Sequence, residues 1–239
     1  MGTTIAIARR ELSTFFNSPI AYIVLSGFLL VAGWLYFGTL FLGGQASLRA
    51  FFSIAPLLFV FFTPAMTMRL IAEEKKSGTL ELLLTLPIDD WQVVAGKFLA
   101  ALATVAVGLA CTFPYALTVS SLTAQPDTFD WGPVFGGYAG LLLMAASFLA
   151  IGLWASALSK NQIVGFIVGL LLCFGFYFVD KVAVLFPAGL AELLQFLSVD
   201  YHFENVARGV LDTRDVLFYL SLTFAGLVLT TRSLALARR

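Results

Sequence analysis

Long apolar runs without a single charged residue dominate the sequence and predict its main elements. Six such runs are between 16 and 29 residues long: 20–48, 50–68, 98–126, 131–159, 161–179 and 216–231. An α-helix needs roughly 20 apolar residues to cross a hydrocarbon core of ~30 Å, and a helix satisfies its own backbone hydrogen bonds in lipid. Each run therefore predicts a membrane-spanning helix, and the spans fall at about 20–42, 52–71, 93–117, 134–158, 163–179 and 216–234.

The segment before the first span has a different pattern. Within 4–17, apolar side chains recur at helical spacing, at Ile5, Ala8, Leu12, Phe15 and Phe16. Most polar side chains, Glu11 among them, lie elsewhere on the helix. This pattern predicts a short amphipathic helix that lies in the membrane interface, after which Pro19 begins the next helix.

The segment before the last span is apolar but too short to cross a membrane. Residues 182–191 contain Pro187 and Gly189, and the half-apolar stretch AELLQFLSVDYHF follows. Such a segment fits a re-entrant or interfacial helical hairpin. The only histidine, His202, falls in this hairpin, and we expect it to be an interfacial polar residue. Together these elements make an all-α membrane protein, with 1–239 forming one transmembrane domain.

Composition and charge support this picture and orient it. Apolar residues make up 60% of the chain and charged residues 12%, and the mean hydropathy is +0.94. With six spans, both termini lie on one side, which collects ten of the basic residues, against four on the other side. Basic residues favour the cytoplasmic side. The termini and the loop between spans 2 and 3 are therefore predicted to be cytoplasmic, with the hairpin outside.

Motifs for catalysis do not occur in the sequence. There is no phosphate-binding loop of the type GxxxxGK[ST], no HExxH and no GxSxG. The single histidine excludes a multi-histidine metal site within one chain. The chain is accordingly predicted to be no enzyme by itself and to hold no cofactor. We also expect the spans to carry no charge, which argues against an ion-coupled carrier or channel because such proteins keep charges inside their spans.

The loop between spans 2 and 3 gathers charge in an otherwise apolar chain. The window 69–97 holds nine charged residues, and charge alone is typical of a solvated loop with no partner. Its sequence EEKKSGTLELLLTLPIDDWQVVAGK (73–97) resembles the signature of ABC-2 type transporter permeases. An acidic and basic turn is followed there by a Gly-Thr-Leu-Glu element, leucine-rich sequence, a proline and a Gly-Lys pair. Those elements are here Gly78, Thr79, Leu80, Glu81, Pro87, Gly96 and Lys97.

Both ends of the chain extend this resemblance. The segments 8–22 and 202–230 are similar to those of the gliding-motility subgroup of ABC-2 permeases. The resemblance implies a multi-pass permease of the bacterial inner membrane that pairs as a homodimer. Each copy would engage a cytoplasmic ABC ATPase subunit, which binds ATP and Mg²⁺. The subgroup also implies a membrane-anchored accessory protein outside the cell, and nothing indicates a nucleic-acid partner.

The resemblance also implies which residues contact the ATPase. The segment between spans 2 and 3 would be a coupling helix, which Gly78 ends in a left-handed cap. Its contact residues are predicted to be Glu73, Glu74, Lys75, Lys76, Ser77, Gly78, Thr79 and Glu81. The N-terminal interface helix would support it through Arg9, Arg10 and Glu11.

Two functions fit the sequence beside the disfavoured carrier. The first is the membrane subunit of an ATP-driven exporter with an unidentified substrate. The second is a non-transporting membrane anchor that transmits ATPase-driven motion to an extracytoplasmic partner. Both require an ATPase, and only the first requires a substrate.

Overall fold

The computed structural model describes residues 2–43, 47–80, 88–122, 129–207, 209 and 212–237. Helices and short connections make up these described residues. The helices are α1 Gly2–Asn17, α2 Pro19–Gly43, α3 Arg49–Thr67, α4 Ala72–Ser77, α5 Asp90–Leu122, α6 Trp131–Leu158, α7 Gln162–Ala183, α8 Ala188–Leu197, α9 Val199–Ala207 and α10 Thr213–Ala237. Six of them are long and apolar enough to cross a membrane, which confirms the all-helical fold and the predicted number of spans.

The six long helices differ in how deeply they are buried. About 72% of the most apolar stretch of α6 is buried, against 22% for α2, α7 and α10. The helix α6 packs against α3, α5, α7 and α10. A helix that is apolar on all sides belongs in the middle of a bundle or in lipid, and α6 takes the middle place. The outer helices leave apolar side chains exposed, as lipid contact requires.

Two ends of the bundle carry the remaining helices. At one end, called here the α4 end, α1 and α4 lie beside the start of α5 and the end of α6. At the opposite end, called the hairpin end, α8 and α9 lie beside the end of α7 and the start of α10. Consecutive long helices run alternately between these two ends, so each end gathers segments that are far apart in sequence.

The N-terminal helix α1 presents a different stripe from the one predicted. Its buried residues are Ile7, Glu11 and Phe15, whereas Ile5 is 63% exposed. The face that α1 buries against the protein therefore differs from the apolar stripe, since Ile5 is exposed and Glu11 is buried although the pattern left it on the polar side. The physical reason is a buried cation on α5 that pairs with Glu11.

The hairpin end contains the two short helices in place of a span. All of α8 remains unburied, while α9 buries Val199, His202, Phe203 and Val206. A Cβ on Gly140 of α6 would lie 2.6 Å from Val206, so this glycine lets α9 approach α6 closely.

His202, which was expected to be an interfacial polar residue, is buried within the protein and only 3% exposed. Its ring stacks on Phe218 of α10 at 4.0 Å. The Nδ1 atom lies 2.7 Å from an Asp215 carboxylate oxygen, and Nε2 lies 3.0 Å from the Phe196 carbonyl oxygen. A carbonyl only accepts, so Nε2 carries the proton there. His202 thus joins α8, α9 and α10.

Candidate functional site

The six-residue helix α4 begins with help from a neighbouring helix. The chain leaves α3 at Thr67, turns, and enters α4 at Ala72. The preceding residue, Ile71, supplies no side-chain cap. Ser156 of α6 replaces that cap, since its hydroxyl oxygen lies 3.3 Å from the amide nitrogen of Ile71 and 3.1 Å from that of Ala72. The same hydroxyl donates to the Met68 carbonyl at 2.9 Å. The first amides of a helix need such acceptors, so Ser156 fixes where α4 starts.

The end of α4 is set by glycine and serine. Gly78 adopts φ 71° and ψ 0°, which is the left-handed region. This confirms the geometry expected of a left-handed cap, where glycine avoids the steric cost of a Cβ. The Ser77 hydroxyl donates to the Glu73 carbonyl at 2.9 Å and lies 2.9 Å from the Thr79 hydroxyl. The helix therefore stops before it completes two turns.

A buried lysine joins three helices at the α4 end. Lys97 of α5 is only 1% exposed, and its ammonium lies 3.2 Å from Glu11 of α1 and 2.7 Å from Glu74 of α4. Arg10 approaches the same two carboxylates at 3.4 and 3.7 Å. We call these four residues the Lys97 cluster. A charge this deeply buried persists only when it is paired and hydrogen-bonded, so the pairing fixes the relative positions of the three helices.

The residue before Lys97 admits α1 to this position. A Cβ on Gly96 would lie 2.7 Å from the Ile7 side chain and 3.1 Å from the Thr4 carbonyl oxygen. Any larger residue would push α1 away from α5. The Gly96-Lys97 pair thus has two structural roles: the glycine makes room for α1, and the lysine binds Glu11.

Two further basic residues fasten the turn and α4. The Lys75 ammonium donates to the Ala157 carbonyl oxygen at the end of α6. The Arg69 guanidinium donates to the Ser18 hydroxyl at 3.2 Å, lies 3.8 Å from Glu73 and stacks over the Phe15 ring at 5.6 Å. The segment is therefore tied to α6 on one side and to α1 on the other.

The remaining predicted contact residues face outward. Side chains of Glu73, Lys76, Ser77 and Thr79 are exposed, as is the Gly78 backbone. A cleft of about 190 Å³ lies between α1 and α4, with Arg10, Arg69, Glu73 and Glu74 among its lining residues. Arg9 is exposed on α1. The predicted residue Glu81 lies outside the described residues.

A comparison with protein families identifies the family to which this chain belongs. The family model described as ABC-2 family transporter protein matches residues 38–221. This chain belongs to the ABC-2 transporter family. No curated protein matches the chain. The matched residues include α4 and Lys97, whereas α1 lies before them. The chain is thus a multi-pass transporter permease subunit.

Membership of the ABC-2 family also fixes where the chemistry takes place. The family is a membrane transport domain that is not catalytic itself, and ATP hydrolysis occurs in a separate subunit. Association with an ABC ATPase subunit follows. Within the described residues, no group of three histidine, cysteine or acidic side chains comes together to hold a metal ion.

Three residues that organise this region were not among the predicted contact residues. Lys97 was visible in the sequence motif, where an isolated lysine next to glycine opens an apolar span. Arg69 stood out in the sequence only as part of the charged window 69–97. No sequence pattern indicated a role for Ser156. The expectation of uncharged spans is wrong at Lys97, which lies within the candidate span Asp90–Leu122. The lysine is tolerated there because Glu11 and Glu74 neutralise it.

Proposed function

We propose that α4 is the coupling helix of an ABC exporter and that the Lys97 cluster transmits its movement to the membrane helices. The observation that carries this proposal is the pairing of buried Lys97 with Glu11 and Glu74 at 3.2 and 2.7 Å. It joins a short exposed helix to a membrane span through direct ionic hydrogen bonds. Such bonds are among the stronger polar contacts in proteins.

The outward face of α4 supports docking of an ATPase. Glu73 and Lys76 are exposed on this face, so they present both signs of charge to a partner. Charged groups arranged in this way set the orientation and specificity of association. The inward face, with Glu74 and Lys75, is occupied by contacts to the permease itself. The two faces thus separate binding of the partner from transmission of its movement.

Transmission from α4 has two short routes into the bundle. One runs through Glu74 and Lys97 into α5, and the other through the Ser156 hydroxyl and the Lys75 ammonium into α6. Coupling between distant sites travels through such contiguous packed and hydrogen-bonded elements. A displacement of α4 by ATPase closure therefore moves the start of α5 and the end of α6.

The finer assignment follows from topology and resemblance. The α4 end is cytoplasmic, and the hairpin end lies outside, in agreement with ten basic residues on the first side and four on the second. The protein works as a homodimer with two ATPase subunits in the bacterial inner membrane. The resemblance of both ends of the chain to the gliding-motility subgroup supports an accessory protein at the hairpin end.

Affinity purification from the native host in mild detergent tests the coupling role. The measured quantity is the amount of P-loop ATPase recovered with the chain, identified by mass spectrometry. We expect a Glu73→Lys and Lys76→Glu double variant to lose the ATPase, because the charges on the outward face are reversed. Glu192→Lys, which changes an exposed carboxylate of α8, is the matched control and retains it. Equal recovery with all three chains contradicts the proposal.

A further inference from the structure

The N-terminal helix α1 has an apolar stripe that the protein leaves largely uncovered. Ile5, Leu12 and Phe16 are seven and four residues apart, so they lie on one side of the helix. Ile5 is 63% exposed, and Leu12 and Phe16 are only partly buried. The face that α1 buries against the protein carries Glu11 instead. An amphipathic helix of this kind gains stability only when another apolar partner covers its stripe.

The stripe continues onto the exposed side of the first membrane span, α2. The Phe16 ring contacts the Tyr22 ring edge-on, with 6.1 Å between the two centroids. Tyr22 and Ile23 are 57% and 66% exposed, and only 22% of the most apolar stretch of α2 is buried. Lipid covers such a span on its exposed side. Because the apolar surface passes from α2 to α1 through this ring contact, lipid is also the partner that fits the stripe.

An arginine without a partner lies at the edge of the stripe. Arg9 is exposed, and its guanidinium forms no hydrogen bond or ion pair with any residue that the structure describes. It follows Ile5 by four residues, so the two side chains are neighbours on the helix surface. Arg10, in contrast, approaches Glu11 and Glu74. A free arginine beside an apolar stripe lays its stem on the apolar surface and its charge among lipid headgroups.

We propose that α1 binds anionic phospholipids, with its apolar stripe among the acyl chains and Arg9 on the headgroup phosphate. A guanidinium binds phosphate through two parallel hydrogen bonds. The bilayer is the source of this phosphate, because a soluble phosphate would use the cation and leave the stripe uncovered. Tyr22 fits the same level, since tyrosine is enriched at the membrane interface. The family match begins at residue 38, so membership of the family assigns no role to α1.

The bound lipid holds α1 from the side that faces away from the Lys97 cluster. Arg9 and Glu11 are two residues apart, which places them about 200° apart around the helix. Glu11 binds Lys97 at 3.2 Å, so a lipid on Arg9 also fixes the carboxylate that the cluster needs. This consequence rests on the proposed function, which places the α4 end at the cytoplasmic leaflet. Lipid binding itself does not depend on it.

Spin-label accessibility in lipid nanodiscs tests where the stripe lies. The labels are placed at Ile5→Cys on the stripe and at the neighbouring exposed Ala6→Cys, each in a Cys111→Ser background, since Cys173 is buried. The nanodiscs contain phosphatidylglycerol and phosphatidylcholine. We expect the label at position 5 to collide more often with oxygen, which dissolves in lipid, than with a water-soluble nickel chelate. The label at position 6 should show the reverse preference.

Two results at position 5 would overturn the proposal. Greater access to the nickel chelate would place the stripe in water. Protection from both reagents would mean that a second copy or another protein covers it.

Native mass spectrometry of the purified chain tests the class of lipid. The probes are phosphatidylglycerol and phosphatidylcholine with identical short acyl chains, titrated in mild detergent. Both carry the phosphate, and only the first has a net negative charge. We expect phosphatidylglycerol to bind roughly fivefold more tightly, as one basic residue at an anionic surface provides. Arg9→Gln should abolish this preference. Arg214→Gln removes an exposed arginine at the hairpin end and is the matched control, which should retain it.

The outcomes separate the sources and the two proposals. Displacement of phosphatidylglycerol by an equal concentration of soluble glycerol phosphate would show that the cation alone suffices, and it would overturn a lipid site. Equal binding of the two lipids, or equal loss of the preference in Arg9→Gln and Arg214→Gln, would overturn it as well. These measurements use the chain without its ATPase. A lipid preference in a chain that recovers no ATPase refutes only the coupling role, and ATPase recovery without the preference refutes only the lipid site.

Discussion

The two ends of the bundle hold their short helices by different means. At the hairpin end, α9 buries four of its nine residues, among them Phe203 and Val206. At the α4 end, α4 buries only Ala72 of its six residues. The position of α9 therefore comes largely from apolar packing, whereas that of α4 comes from polar contacts made by Glu74, Lys75 and the neighbouring Ser156.

This difference matters because polar contacts are directional. Apolar packing tolerates small shifts in register, but a hydrogen bond weakens steeply when its geometry is lost. A helix that is held by a few directional bonds therefore moves together with the residues that it binds. The α4 end is thus suited to passing on a movement, whereas the hairpin end is packed as a fixed cover at the opposite end of the bundle. The predictions below test this contrast from the largest effect to the smallest.

Removal of the buried cation should have the largest effect. In Lys97→Met, the carboxylates of Glu11 and Glu74 lose their main partner inside the protein. Breaking a buried ion pair from one side costs about 3 kcal/mol or more. We expect this loss in the free energy of unfolding, measured by chemical denaturation in detergent micelles. Lys76→Met removes an exposed lysine of α4 and should change stability by less than about 0.5 kcal/mol. Similar losses in both variants would refute the special role of Lys97.

The hairpin end should depend less on its own buried polar pair, His202 and Asp215. His202→Leu removes the bonds to Asp215 and to the Phe196 carbonyl, and we expect a loss of about 2 kcal/mol. Adding Asp215→Leu should recover much of it, because replacing both partners by apolar groups is often nearly neutral. The measurement is the same denaturation experiment. If the double variant does not recover stability, α9 also depends on its polar contacts. The two ends of the bundle would then not differ in how they hold their short helices.

The close approach of α1 should respond to a single added methyl group. In Gly96→Ala, the new Cβ lies 2.7 Å from the Ile7 side chain, and overpacking of this kind costs about 1–3 kcal/mol. Gly175→Ala in α7 is the control, since nothing lies within 4 Å of its Cβ position. The control should gain up to about 1 kcal/mol from helix propensity. A stabilised Gly96→Ala variant would show that α1 does not rest on α5.

The end of α4 should show the smallest effect. Gly78 has a positive φ of 71° but open space around its Cβ position. Gly78→Ala should therefore cost only the backbone strain of a left-handed residue, about 1 kcal/mol, whereas Gly78→Asn should cost less. Thermal unfolding of the two variants side by side measures this difference. Equal melting temperatures for alanine and asparagine would indicate that the cap does not persist in the folded protein.

The sequence predicted the elements better than their contacts. Apolar run lengths predicted six spans, because hydrophobicity and helix length act locally. The interrupted segment after 182 predicted a re-entrant or interfacial helical hairpin, and the structure has the two short helices α8 and α9 there. The buried stripe of α1 was missed because Glu11 owes its burial to Lys97, which is 86 residues away. Ser156 was missed for the same reason, since its partners Ile71 and Ala72 lie at the start of α4, about 85 residues earlier in the chain. Tertiary pairing of this kind leaves no periodic signal in one sequence.

One measurement tests the central claim, that the Lys97 cluster carries movement from α4 into the bundle. A spin label at Leu193→Cys on exposed α8, in a Cys111→Ser background, reports the distance between the two copies of the proposed homodimer in its complex with the ATPase. We predict that ATP shifts this distance in the otherwise unchanged chain. Glu74→Gln weakens the contacts of α4 with Lys97 and Arg10, so it should keep the ATPase bound and greatly reduce the shift, while the route through Ser156 and Lys75 remains. A full shift in Glu74→Gln would contradict the account, because movement would then reach the hairpin end without the cluster.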